Sequence, residues 1–79
     1  MPHVRIAYGL PGLDEGGARA VVKRLESLPG VHDVTVWTGE QQIDVDYDPD
    51  VVTPQALTDA LRNAGYVAKF IPRSERWPG

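Results

Sequence analysis

The stretch Ile43-Asp44-Val45-Asp46-Tyr47-Asp48 alternates apolar and acidic side chains without a break. Successive side chains of a strand point to opposite faces, so this is the pattern of a strand with one face in a core and the other in water. A helix would scatter the three aspartates around its circumference, and a slip of one residue would carry them into the core. The chain therefore needs a sheet with a single covered face, and the cover must come from elsewhere in its 79 residues.

The other elements follow from the same kind of reading. Val4, Ile6 and Tyr8 alternate with His3, Arg5 and Ala7, which predicts a first strand. Val21, Val22, Leu25 and Leu28 recur at helical spacing, with Arg19, Lys23, Arg24 and Glu26 on the wet side. Asp14 suits the cap of that helix, and Pro29-Gly30 ends it. Val31, Val34 and Val36 predict a second strand, broken by the turn-forming Thr38-Gly39-Glu40. Thr53 and Pro54 are a strong helix start, and Val52 and Leu57 are spaced to staple it. Leu57, Ala60 and Leu61 form the buried stripe of this second helix, and Gly65 stops it. Residues 66–71 read as a last strand, and 72–79 as a flexible C-terminal tail outside a domain of residues 1–71.

A βαββαβ order of this length predicts an α+β, ferredoxin-like sandwich: a four-stranded antiparallel sheet with two helices on one face. Right-handed crossovers place the first and third strands in the centre. Within that frame Gly9-Leu10-Pro11-Gly12-Leu13-Asp14-Glu15-Gly16-Gly17, joining the first strand to the first helix, is the segment built like a site, with four glycines in nine residues. Composition limits what it can do. The chain has no cysteine, so thiolate chemistry and disulfides are closed to it. No run approaches the roughly 20 apolar residues of a membrane helix, and the N-terminus lacks a signal-peptide build. A net charge of -3 argues against a general nucleic-acid binder. The default expectation is a cytoplasmic protein with no cofactor.

Several landmarks carry a family resemblance: Gly9-Leu10, Leu25-x-x-Leu28-Pro29-Gly30-Val31, Val34-x-Val36, Val45-x-Tyr47-Asp48-Pro49, Leu57-x-x-Ala60-Leu61 and Gly65-Tyr66-x-Ala68. In this order they resemble the heavy-metal-associated domain of small copper chaperones and of the N-terminal modules of metal-transporting ATPases. The resemblance implies a loop motif of glycine, methionine, a small residue, then Cys-x-x-Cys, whose thiolates hold Cu(I) or another soft metal. Leu10 matches the methionine, a packing position. Counting forward from Gly9 puts Gly12 and Glu15 at the cysteine positions; counting back from Gly30 puts Asp14 and Gly17 there, because the loop is two residues longer than the family's. Neither register supplies sulfur, so the resemblance does not carry soft-metal binding to this chain. Tyr66 matches a tyrosine that leans over the metal loop in bacterial relatives, and it serves equally well to close the core.

The remaining candidates favour plain roles. Asp14 and Glu15 fit a helix cap and its dipole better than a hard-cation site, since Ca²⁺ wants about six to eight oxygens. Asp44, Asp46, Asp48 and Asp50 imitate an EF-hand, but Pro49 stands where glycine is needed and Gln55 where glutamate is needed. Aspartates on the wet face would repel RNA. His3 and His32 lie too far apart in the pattern for a ligand pair. No nucleophile-base set assembles, so the chain is not expected to be an enzyme. The expectation is a binding module that docks a protein partner through the loop and the sheet's outer face, where Arg5, Trp37, Asp44 and Asp46 are the candidates. The alternatives are weak metal binding through oxygen and imidazole ligands, small-molecule regulation, and a weak homodimer.

Overall fold

The computed structural model describes residues 3–71, so the tail expected at 72–79 lies outside the described residues. Along them run β1 (Val4–Gly9), α1 (Glu15–Glu26), β2 (Val31–Trp37), a single 3-10 turn (Thr38–Glu40), β3 (Gln42–Tyr47), α2 (Pro54–Asn63) and β4 (Lys69–Ile71). The strands form one antiparallel sheet in the order β2-β3-β1-β4. This is the ferredoxin-like topology with the first and third strands central.

The register explains why one face is apolar. Ile6 lies opposite Val45 and Tyr8 opposite Ile43 across β1 and β3, while Val34 and Val36 meet Val45 and Ile43 from β2. Those side chains pack against Val21 and Leu25 of α1 and Leu57 and Leu61 of α2, and Val21, Leu25, Ile43, Val45 and Leu57 are fully buried. Removing that much apolar surface from water is the principal stabilising term for so small a core. Burial pushes the Tyr47 phenol above the ordinary tyrosine range, and neighbouring Tyr8 adds to the rise.

Both helices begin as the sequence predicts. The Asp14 carboxylate accepts the Gly17 amide at 2.7 Å, and the Thr53 hydroxyl accepts the Ala56 amide at 3.2 Å, with Pro54 in the first turn. Gly30 has φ +92°, and a Cβ there would lie 2.8 Å from the Val51 Cβ, so no other residue fits between α1 and β2 without moving the neighbouring loop.

Three details differ from expectation. Residues 66–68 are not strand: β4 pairs only with Ala7–Gly9, because β1 gives way to the loop after Gly9. On α1, Ala18 joins Val21 and Leu25 in the core, while Val22 is only half-buried. The third concerns the outer face. Asp44 and Asp48 were expected in water, yet they are only 5% and 6% exposed, Asp48 accepting the Asp50 amide at 2.9 Å just past the strand. Arg5 reaches over Asp44 from β1, its Nε 3.9 Å from Asp44 Oδ2 and its Nη2 donating to Thr35 Oγ1 of β2 at 3.3 Å. Gln42 Nε2 donates to Asp44 Oδ1 at 3.1 Å. Asp44 sits mid-sheet on a central strand, so side chains from both neighbouring strands close over it. Asp46, nearer the sheet's end, stays partly open.

The two aspartates should therefore respond differently. Asp44→Ala should cost about 1–3 kcal/mol in urea unfolding, the toll of breaking a buried charge-assisted hydrogen-bond set. Asp46→Ala should cost less than about 1 kcal/mol, as a part-exposed pair does. Equal losses would show that the Arg5 cover is incidental.

Candidate functional site

The loop after β1 is tied down at both ends. The Leu10 amide donates to the Gln41 carbonyl at 2.7 Å, and the Leu13 amide donates to the Leu10 carbonyl at 3.0 Å. Leu10 is completely buried and Leu13 nearly so, leaving Pro11 and Gly12 exposed between two apolar anchors. Asp14 then caps α1 through its side chain, and its carbonyl accepts the Ala18 amide at 2.7 Å.

Tyr66 arrives from the other end of the fold. Its amide donates to the Leu61 carbonyl at 3.1 Å, which turns the chain back at the end of α2. The ring packs against the core and the hydroxyl lies over the first turn of α1. A Cβ built at Gly17 would fall onto the Tyr66 hydroxyl oxygen, with Tyr66 Cζ at 3.1 Å and Asp14 Oδ1 at 3.2 Å. Position 17 is a glycine because the tyrosine occupies the space a side chain would need.

The structure thus gathers Leu10, Asp14, Gly17 and Tyr66 around the start of α1. Gly12 stands apart in the exposed turn, where a Cβ would meet nothing within 4 Å, and Glu15 is exposed at the first helical position. On the outer face Arg5 and Asp44 form the covered pair already described, and Trp37, opposite Gln42 on the edge strand, is 47% exposed.

One grouping was not expected from the pattern. His3 and His32, which the pattern sets too far apart for a ligand pair, stack with ring centroids 4.2 Å apart and planes 12° from parallel. His3 Nδ1 lies 3.2 Å from Asp46 Oδ1. Both β1 and β2 pair with β3, so their first residues reach the same end of the sheet, roughly 10 Å apart across β3. A register shift between Val31 and Asp33 marks a bulge at His32. Bulges re-aim side chains, and period-two counting does not reveal them. The signal available in the sequence was the shared position of the two histidines at the heads of flanking strands.

The model of the heavy-metal-associated domain family matches residues 11–67, most of the chain. The chain belongs to that family. A copper-transporting ATPase of Oryza sativa subsp. japonica is 38% identical over 56 residues, which is 71% of this chain and 6% of that much longer protein. Oxidised MerP from Ralstonia metallidurans superposes with a TM-score of 0.80 at 25% identity, covering 90% of this chain and 100% of its own. The N-terminal domain of PacS from Synechocystis gives 0.76 at 30% identity, covering 87% and 98%.

The heavy-metal-associated domain is a metal-binding module, and the residues of this chain do not fit a soft metal. It has no thiol. Of the two loop registers, Asp14 and Gly17 meet at the start of the helix, where one is a carboxylate engaged as a cap and the other has no side chain. Cu(I) selects thiolate and thioether donors, which are absent from both registers. Among the described residues, no group of three or more histidines and carboxylates is placed to hold a metal ion.

The packing at Gly17 makes a sign prediction. Gly16→Ala, which meets only ordinary contact, should stabilise the protein by about 0.4–1 kcal/mol. Gly17→Ala should instead destabilise it by about 1–3 kcal/mol through overpacking, and Tyr66→Phe in the same chain should recover most of that loss. Thermal unfolding of the three variants beside the unaltered protein measures it; equal gains at both glycines would remove Tyr66 from its assigned place.

Proposed function

We propose that this chain, with its working unit in residues 1–71, is a protein-binding member of the heavy-metal-associated family that carries no soft metal ion and catalyses no reaction. The observation that carries this reading is the first turn of α1. In the register counted back from Gly30, the place of the motif's second sulfur is a glycine covered by the Tyr66 hydroxyl, and the carboxylate at the first caps the helix amide. A loop anchored by buried Leu10 and Leu13 and capped by Asp14 presents a fixed shape to a partner. The sheet's outer face adds Trp37, a half-exposed aromatic of the kind that anchors interfaces. The chain's net charge of -3 would favour a positively charged partner and speed encounter more than it raises affinity.

Two measurements test the two halves. In competition with a chromogenic Cu(I) chelator, the protein should leave the metal with the chelator; stoichiometric capture at submicromolar affinity would overturn the loss of metal binding. A photo-crosslinker at Trp37 should give a discrete adduct in the native cell, and one at Arg19 on the helical side should not. Adducts at both, or at neither, would count against docking through the sheet.

A further inference from the structure

A sheet covered on one face should alternate buried and open residues along each strand, and β3 does not. Gln42, Ile43, Asp44 and Val45 are buried in succession, and Ala7 on β1 is buried without belonging to the hydrophobic core. Ile43 and Val45 face the helices, so Ala7, Gln42 and Asp44 are enclosed on the outer face. Among the described residues, no helix or strand is layered on that face. Arg5 lies over Asp44. Beside that pair the floor is small, since Gly9 and Ala7 carry at most a methyl. Ile71 stands on one side, its Cδ1 3.7 Å from where a Gly9 Cβ would be, and Gln42 and Trp37 stand on the other. The outcome is a shallow trough with Asp44 and Asp46 beyond it.

The chain leaves the described residues at Ile71, on the rim of this trough. Eight residues follow, Pro72-Arg73-Ser74-Glu75-Arg76-Trp77-Pro78-Gly79. Pro72 has no amide with which to extend the β4 ladder. Residues 72–77 can span up to about 20 Å, whereas crossing the whole four-stranded sheet takes about 14 Å. The segment carries two arginines against one glutamate, opposite in sign to Asp44 and Asp46, and one large apolar side chain, Trp77. We propose that residues 72–79 fold back over the outer face, with Trp77 seated in the trough on Gly9 and Ala7 and the arginines toward the aspartates. A partner docking at half-exposed Trp37 would meet this segment beside it, but the cover is intramolecular and does not depend on that docking.

Nuclear Overhauser spectra of the intact chain test the cover. The Trp77 indole should show contacts to the Ala7 methyl and the Gly9 α-protons. Trp77→Ala should shift the Ala7 methyl and the Gln42 side-chain amide, while the Val21, Val45 and Leu57 methyls of the core stay in place and report an intact fold. Arg73→Glu with Arg76→Glu should weaken the indole contacts. Absence of contact between Trp77 and Ala7 or Gly9 in the unaltered chain would overturn the proposal, as would an Ala7 methyl unmoved by Trp77→Ala. Indole contacts at full strength after both charges are reversed would also count against it. Contacts found only between differently labelled copies would make a second molecule the occupant and overturn the intramolecular cover.

Discussion

The Gly17 amide reaches the Asp14 carboxylate at 2.7 Å beneath the Tyr66 hydroxyl, and this contact sets how α1 begins. A helix start leaves four amides without intrahelical partners, and its dipole favours negative charge there. Here the chain meets part of that need internally, with a carboxylate from the loop, while the Tyr66 phenol fills the space above Gly17. Leu10 and Leu13 hold the loop from below, so its approach to the helix is fixed by apolar burial rather than by a bound ion. The fold of a metal-binding family is kept in a chain that has no thiol, and the start of α1 holds a cap and a glycine.

Much of this was legible in the residues. Asp14 and Thr53 announce their helices because a short oxygen-bearing side chain before an apolar period has few better uses. The alternation through Ile43, Val45 and Tyr47 fixes the core face of β3, and with it the face of every strand in register. What periodicity cannot give is how the opposite face is covered. Asp44 is buried because Arg5, offset diagonally on the next strand, lies over it, and that offset is a property of register rather than of either strand alone. The meeting of His3 with His32 needs the register and a bulge together. The nearness of Tyr66 to Gly17 spans two helices and two strands of intervening chain, and the sequence offered it only as a resemblance.

The outer face is accordingly less uniform than an acidic strand suggests. Its middle is a closed network of Arg5, Asp44, Gln42 and Thr35. One end carries the histidine stack on Asp46, and the other carries Trp37 beside Gln42. A buried charged set fixes side-chain positions more than it adds net stability.

The central claim is that Tyr66 now occupies the volume a metal ligand at residue 17 would need. Cu(I) affinity should be compared between Asp14→Cys/Gly17→Cys and the same pair with Tyr66→Phe, by chelator competition. If the tyrosine hydroxyl holds that place, the double variant binds poorly and removal of the hydroxyl strengthens capture by about tenfold, the ratio that roughly 1.4 kcal/mol of relieved overpacking would give. If the two cysteines alone bind Cu(I) as tightly as they do with phenylalanine at residue 66, the loop's closure by Tyr66 is contradicted.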